Sequence, residues 1–406
     1  MNRRTAARSW SAPVLWRFDH GREQIDGRDL APGVINTRDK SARGLAHSKT
    51  LPRPFRGKES STSPSFRVRT LAIIGRSVML ALTLLGSALL HAEPNNPNTD
   101  WFHKAGWGVF VHYLEDLQNN PAELHSLGKR TPWDACVKEF DTEKFAEQIA
   151  QTSAGYVIFT MHQRTRFLIA PNATFDRLSG YQPGEACATR DLVLDLHTSL
   201  SKRGIRLMLY WTGDGPREDA QAAKALGWSE KVSEDYVRHW AAVAREYGER
   251  YQDKVAGWWC DGCYPWIGYE EKRLGILGEA LKAGNPKRII ALNVGVQDKV
   301  RAYSQHEDFT TGEQNEFKDI PEGRWVNGEQ WHVLSFLGSS RQGWGQPGTK
   351  YTKQQLADYV RKVNERGGVV SIDVLLFRDG SLDRSQWEML KAVRPKTTTR
   401  KPESAR

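Results

Sequence analysis

Four apolar runs in this chain each end on a polar side chain, and helical patterns lie between them. Val109-Phe110-Val111 leads into His112, Tyr156 to Phe159 into Thr160-Met161-His162, Ile205 to Leu209 into Tyr210, and Trp258-Trp259-Cys260 into Asp261. Runs without alternation fit strands buried on both faces, as in a parallel sheet covered by helices. The helix before Asp261 is the clearest: Tyr236, Trp240, Val243, Tyr247 and Tyr251 fall on one face, a stripe suited to packing.

Further strands are expected at 288–293 and 369–376, and weaker ones around Phe309 and from Trp331 to Phe336. Asp141 can cap a helix running to about Ser153, and others are expected at 191–202, 269–283, 352–365 and 384–393. Up to eight strands alternating with helices predict an α/β fold, a (β/α)8 TIM-like barrel. An open doubly wound sheet is the competitor, but no glycine-rich phosphate loop follows the first strand. In a barrel the site collects at the C-terminal strand ends, where the sequence puts His112, His162, Tyr210 and Asp261.

The net charge of +10 invites a nucleic-acid reading, so its location matters. Of the 58 basic residues 16 precede Glu93, together with only 6 of the 48 acidic ones, which leaves 42 of each behind them. The body is neutral, and no nucleic-acid partner is expected. Residues 1–66 read as a disordered leader or as the product of an upstream start. Residues 67–92 have the form of a signal peptide: Arg67, Arg69 and Arg76, then an apolar run from Val78 to Leu90, then a break at Ala92. The run is short for a membrane span, so a secreted or periplasmic protein without stable membrane association is expected. The barrel is expected over 97–395 and a disordered tail over 396–406.

Four cysteines, at 136, 187, 260 and 263, permit disulfides in an oxidising compartment, with a pairing that sequence cannot assign. The pair Cys260 and Cys263 has no thioredoxin-like context and no second such pair to complete a zinc site.

These segments, in their order, resemble the α-L-fucosidases of glycoside hydrolase family 29, from Trp101 to about Val393. The run ending at His112 is similar to that family's opening strand, whose histidine contacts the sugar. Trp259-Cys260-Asp261-Gly262 is similar to its Trp-Phe-Asp-Gly, which implies Asp261 as nucleophile and Trp259 as a sugar-facing indole. Gly367 to Val374 and Asp379-Gly380 resemble its last strand and turn, and Glu313 resembles a loop glutamate of the family, with Glu316 and Glu329 as competitors for the acid/base. The chain departs from the family after His162, where Gln163 and Arg164 replace a histidine and an aspartate.

The chain also departs from the family in stopping soon after the expected barrel, so a single catalytic domain without the C-terminal β-sandwich that many relatives carry is expected. The resemblance implies a retaining glycoside hydrolase acting on a fucosylated or related glycan, with Asp261 and Glu313 as catalytic pair and His112, His162, Tyr210 and Trp259 binding the sugar. Such chemistry needs two carboxyls and no cofactor or metal. The competing expectation is a non-catalytic carbohydrate-binding barrel on the same scaffold.

Overall fold

In a computed structural model, residues 96–340 and 343–394 are described; all belong to the unit that begins at Ala92. The leader, the proposed signal peptide and the tail from 396 lie outside the described residues. Seven parallel strands form one sheet, in the spatial order Ile289–Leu292, Val255–Asp261, Arg206–Thr212, Tyr156–Thr160, Trp107–Val111, Val369–Val374, His332–Phe336. They are β1 (Trp107–Val111), β2 (Tyr156–Thr160), β3 (Arg206–Thr212), β4 (Val255–Asp261), β5 (Ile289–Leu292), β8 (His332–Phe336) and β9 (Val369–Val374). Between β5 and β8 lies a small antiparallel ribbon of β6 (Trp325–Val326) and β7 (Glu329–Gln330).

The segment 308–314, the weak pattern around Phe309, joins the two edges of this sheet. Asp308 donates its amide to Ile290, and further along Leu334 of β8 donates to Gly312 while Gln314 donates to Leu334. Side chains replace backbone on the β5 side. The carboxylates of Asp308 and Glu307 accept the amides of Ile290 and Leu292 at 2.9 and 2.8 Å. Pairing through side chains leaves no regular ladder, which is why the pattern there was faint.

Alternation decides what faces inward. Phe110, Tyr210 and Trp259 meet inside the curled sheet, Tyr210 stacked on Trp259 with ring centroids 5.6 Å apart. Gly108 belongs to the same inner row: a Cβ there would sit 2.4 Å from the Tyr156 ring, so only glycine admits that ring. Trp258 and Trp211 point outward under the helix Glu234–Tyr251, whose Trp240 stacks on Trp211 at 4.5 Å. All five residues of the apolar stripe are buried there, each large ring contributing about 2–3 kcal/mol.

The helices start where their caps demand. Asp141, Asp191 and Thr352 each accept the amide three residues on, opening Thr142–Ala150, Leu192–Ser201 and Lys353–Glu365. Trp133–Glu139, Ala173–Ser179 and Ala220–Leu226 are additional short helices. No helix among the described residues is long and apolar enough to cross a membrane.

Arg288, fully buried just before β5, donates to five backbone carbonyls: Gly248 and Gln252 at one helix end, Leu281 and Ala283 at another, and Val255. Four of these carbonyls lie at or just past the C-termini of two helices, where acceptors remain to be satisfied, and Val255 begins β4. Arg288→Met is expected to cost about 3–5 kcal/mol, because buried carbonyls then lose their donors. Urea unfolding measures this, and a loss under about 1 kcal/mol would show that water serves those groups equally well.

Candidate active site

Asp261 is the last residue of β4, paired in register with Thr212 of β3. The turn after it needs glycine: Gly262 has φ +67°, and a Cβ there would come within 2.8 Å of the Asp214 carboxyl. Four donors meet the Asp261 carboxyl. Gly262 N–H, the Tyr264 hydroxyl and the Asn293 amide reach Oδ1 at 2.8, 2.9 and 2.9 Å, and the Tyr210 hydroxyl reaches Oδ2 at 2.8 Å. Donors without acceptors are the surroundings a carboxylate requires.

Glu313 enters from the irregular sixth position, where it bridges to Leu334. Its Oε2 accepts from the same Asn293 Nδ2 at 2.8 Å. The two carboxyl oxygens that share this nitrogen can be no farther apart than the sum of its two hydrogen bonds, 5.7 Å. Hydrogens diverging by the angle of a planar amide put them about 5 Å apart. Burial pushes Glu313 up to about 8, helped by the Asp261 charge and opposed by the Asn293 hydrogen bond.

Around this pair the sequence-derived candidates fall into two groups. Tyr210 bonds directly to Asp261, and burial followed by the Asp261 charge raises its hydroxyl well above the usual tyrosine range. Trp259, nearly buried, lies one inward step below Asp261 and donates to Thr311 at 3.1 Å. His112 follows β1, with its ring 5.9 Å from that of Tyr210 and its Nδ1 3.0 Å from Asp373 of β9. Asp373 also accepts the Gly345 amide, so the histidine is held by a fixed partner.

His162 is placed differently. It is wholly buried against Trp211 and Trp240, with Nδ1 3.3 Å from the Thr212 hydroxyl and Nε2 on the Thr165 carbonyl. Burial lowers it to about 4, so it is a neutral wall residue whose ring nitrogens both meet protein. Its neighbour Gln163 reaches the site instead, donating to the Tyr210 hydroxyl at 2.7 Å. That bond occupies an acceptor position of the phenol and directs its proton to Asp261.

The competing glutamates lie elsewhere. Glu316 is exposed. Glu329 precedes β8, at the opposite end of the sheet from Asp261, where burial and the neighbouring Glu307 and Asp308 push it up strongly. Asp214, beside Gly262, contacts Arg217 at 3.2 Å and is raised to about 6, first by burial.

Asn293, Tyr264, Gln163 and Asp373 were not among the residues singled out as candidates. Asn293 and Gln163 stand just beyond strand ends and Asp373 near one, so the criterion that found His112 and Asp261 reaches them too. The thiols of Cys260 and Cys263 lie 3.6 Å apart, buried and unbridged, and Cys136 and Cys187 are also free. Among the described residues no group of three or more His, Cys, Asp or Glu could hold a metal ion.

Residues 132–394 match the model of a family described as alpha-L-fucosidase. No curated protein matches the chain. Among solved structures, an endo-fucoidan hydrolase of glycoside hydrolase family 107 is similar at 19% identity and a TM-score of 0.56, over 72% of this chain and 91% of its own. An alpha-L-fucosidase of family 29 from Bacteroides thetaiotaomicron is similar at 17% identity and a TM-score of 0.52, over 73% and 72%. At such identities these likenesses speak for the fold, an α/β domain whose curled parallel sheet is TIM-like, while the family match covers well over half of the sequence. The chain therefore belongs to the alpha-L-fucosidase family and is a glycoside hydrolase.

Proposed function

We propose that the protein is an exported retaining hydrolase of α-L-fucosides, with Asp261 as nucleophile and Glu313 as acid/base. The observation that carries this reading is the single Asn293 nitrogen on both carboxyls, which limits the separation of the oxygens it holds to 5.7 Å. Retention works with carboxyls about 5–5.5 Å apart, whereas inversion needs about 6.5–9.5 Å to admit water between them. The asymmetry of the surroundings supports the division of roles: four donors face Asp261, and Glu313 is held protonated up to about 8.

In the first step an Asp261 oxygen bonds to the anomeric carbon while the bond to the leaving oxygen breaks, and the Glu313 proton goes to that oxygen. In the second, Glu313 takes a proton from water as the water oxygen displaces Asp261 from the same carbon. Tyr210, fixed by Gln163, keeps the nucleophile aligned. Trp259 supplies apolar surface under the ring, and His112, backed by Asp373, serves as a hydroxyl partner. The fucose assignment follows the family and the printed activities of the fucosidase and endo-fucoidan hydrolase neighbours. Export follows from the basic flank and apolar run that end at Ala92.

Incubation with a 2-deoxy-2-fluoro-α-L-fucosyl fluoride tests the reading. The expected result is a protein mass increase of one fluorosugar, mapped to the peptide containing Asp261, with release of product of retained configuration by NMR. Inverted product without an adduct would overturn the retaining assignment. Sugar binding with neither adduct nor turnover would make the protein a carbohydrate-binding barrel.

A further inference from the structure

We propose that Asn293 is a positioning residue for the glycosidic reaction, its one amide nitrogen setting the distance between Asp261 and Glu313 and tying the two groups together. The inference rests on the roles proposed for those carboxyls. Both hydrogens of Nδ2 are engaged, one on Asp261 Oδ1 and one on Glu313 Oε2, at 2.9 and 2.8 Å. The amide cannot be turned over. Its Oδ1 accepts the Gly295 N–H at 3.1 Å, so the flipped form would put an oxygen against two carboxyls and an NH2 against an N–H.

The backbone beneath is equally fixed. Asn293 donates its N–H to the Cys260 carbonyl at 2.6 Å and accepts the Cys263 N–H at 3.0 Å, so it is clamped to residues on both sides of Asp261. The residue is fully buried. The spacing is therefore built across two strands, and thermal motion of either carboxyl is restrained by one planar group.

Neutrality gives the arrangement a second property. A lysine or arginine at this position could donate to the same oxygens, but its positive charge would stabilise ionised Glu313 and deprive it of its proton. With an amide, the titratable groups facing Glu313 are Asp261 of β4 and Tyr264 of the following loop, and Asp261 works to raise it. Once Asp261 becomes a glycosyl ester that charge is gone, which eases the change of Glu313 from acid to base while Asn293 still holds it.

The test compares the pH dependence of kcat/KM for wild type, N293A, N293D and E313Q on 4-nitrophenyl α-L-fucoside and on an unactivated alkyl fucoside. N293A is expected to lose about 100-fold in kcat/KM through misplacement of the pair, mostly in kcat. Its alkaline limb is expected about one pH unit higher, because Glu313 loses the hydrogen bond that stabilised its charged form. N293D conserves volume, replaces the donor by an acceptor and is expected to move the limb further up with a larger loss, so it carries the test should the alanine variant fold poorly. Wild-type limbs in both variants, whatever their activity, would overturn the inference, since loss of fold alone scales the profile without shifting it. E313Q separates the two levels. If it abolishes the alkaline limb while N293A and N293D leave the limb in place, only the role of Asn293 falls; if the limb survives in E313Q, the acid/base assignment itself falls.

Discussion

Asp261→Asn is expected to reduce kcat/KM by about 10⁴-fold or more, equivalent to about 5.4 kcal/mol of transition-state stabilisation, while the protein stays folded. The substitution keeps the volume and one acceptor oxygen, so the Tyr264 and Asn293 bonds to Oδ1 can persist. What it removes is the negative oxygen that attacks, together with the proper partner of the Tyr210 hydroxyl at Oδ2. Steady-state kinetics on an aryl α-L-fucoside measure the loss, and circular dichroism with thermal unfolding checks the fold. A folded variant within about tenfold of wild type would remove Asp261 from the nucleophile role.

Glu313→Ala is expected to lower kcat/KM about 10³-fold on an unactivated fucoside and far less on a 4-nitrophenyl fucoside, whose leaving group needs no proton. Added azide is expected to restore turnover of the aryl substrate and to yield the fucosyl azide of retained configuration, since it attacks the Asp261 ester without a general base. Rescue in variants of Glu316 or Glu329 but not of Glu313 would transfer the role. In the wild type, activity is expected to fall as pH rises through about 8, because the acid form is the one required and burial favours it up to there. The sign for stability follows from the same raised value. Between the ordinary glutamate value of 4.5 and about 8, the folded state binds the extra proton, so Glu313 contributes a loss of stability as pH rises through that window.

Legibility of this protein differs between its strands and its loops. The polar residues at or near the C-terminal ends of β1, β3 and β4 were readable because each follows an apolar run, and burial on both faces of a parallel strand depends on nearby sequence alone. The outward turn of Trp258 and the inward turn of Trp259 followed from the two-residue period of β4. His162 obeyed the same rule of position, yet two residues past β2 its ring turned into the wall and the amide of Gln163 took the place beside Tyr210. That outcome depends on Thr212 and Trp240, which are brought up by β3 and a later helix.

The sequence by itself determined the alternation of strands and helices, the caps, the packing stripe of the helix 234–251 and the carboxyl at the end of β4. Each is a matter of local periodicity or of a side chain bonding its own backbone. Tertiary structure alone decided that Glu313, and neither Glu316 nor Glu329, stands beside Asp261, and that Asn293 joins them. Those facts depend on the register of 308–314 between β5 and β8, where side-chain carboxylates take over part of the pairing and 51 residues of chain lie between the two acids. Distance in sequence carries no information about distance in space once the sheet curls, because register across strands is fixed by packing of the whole sheet.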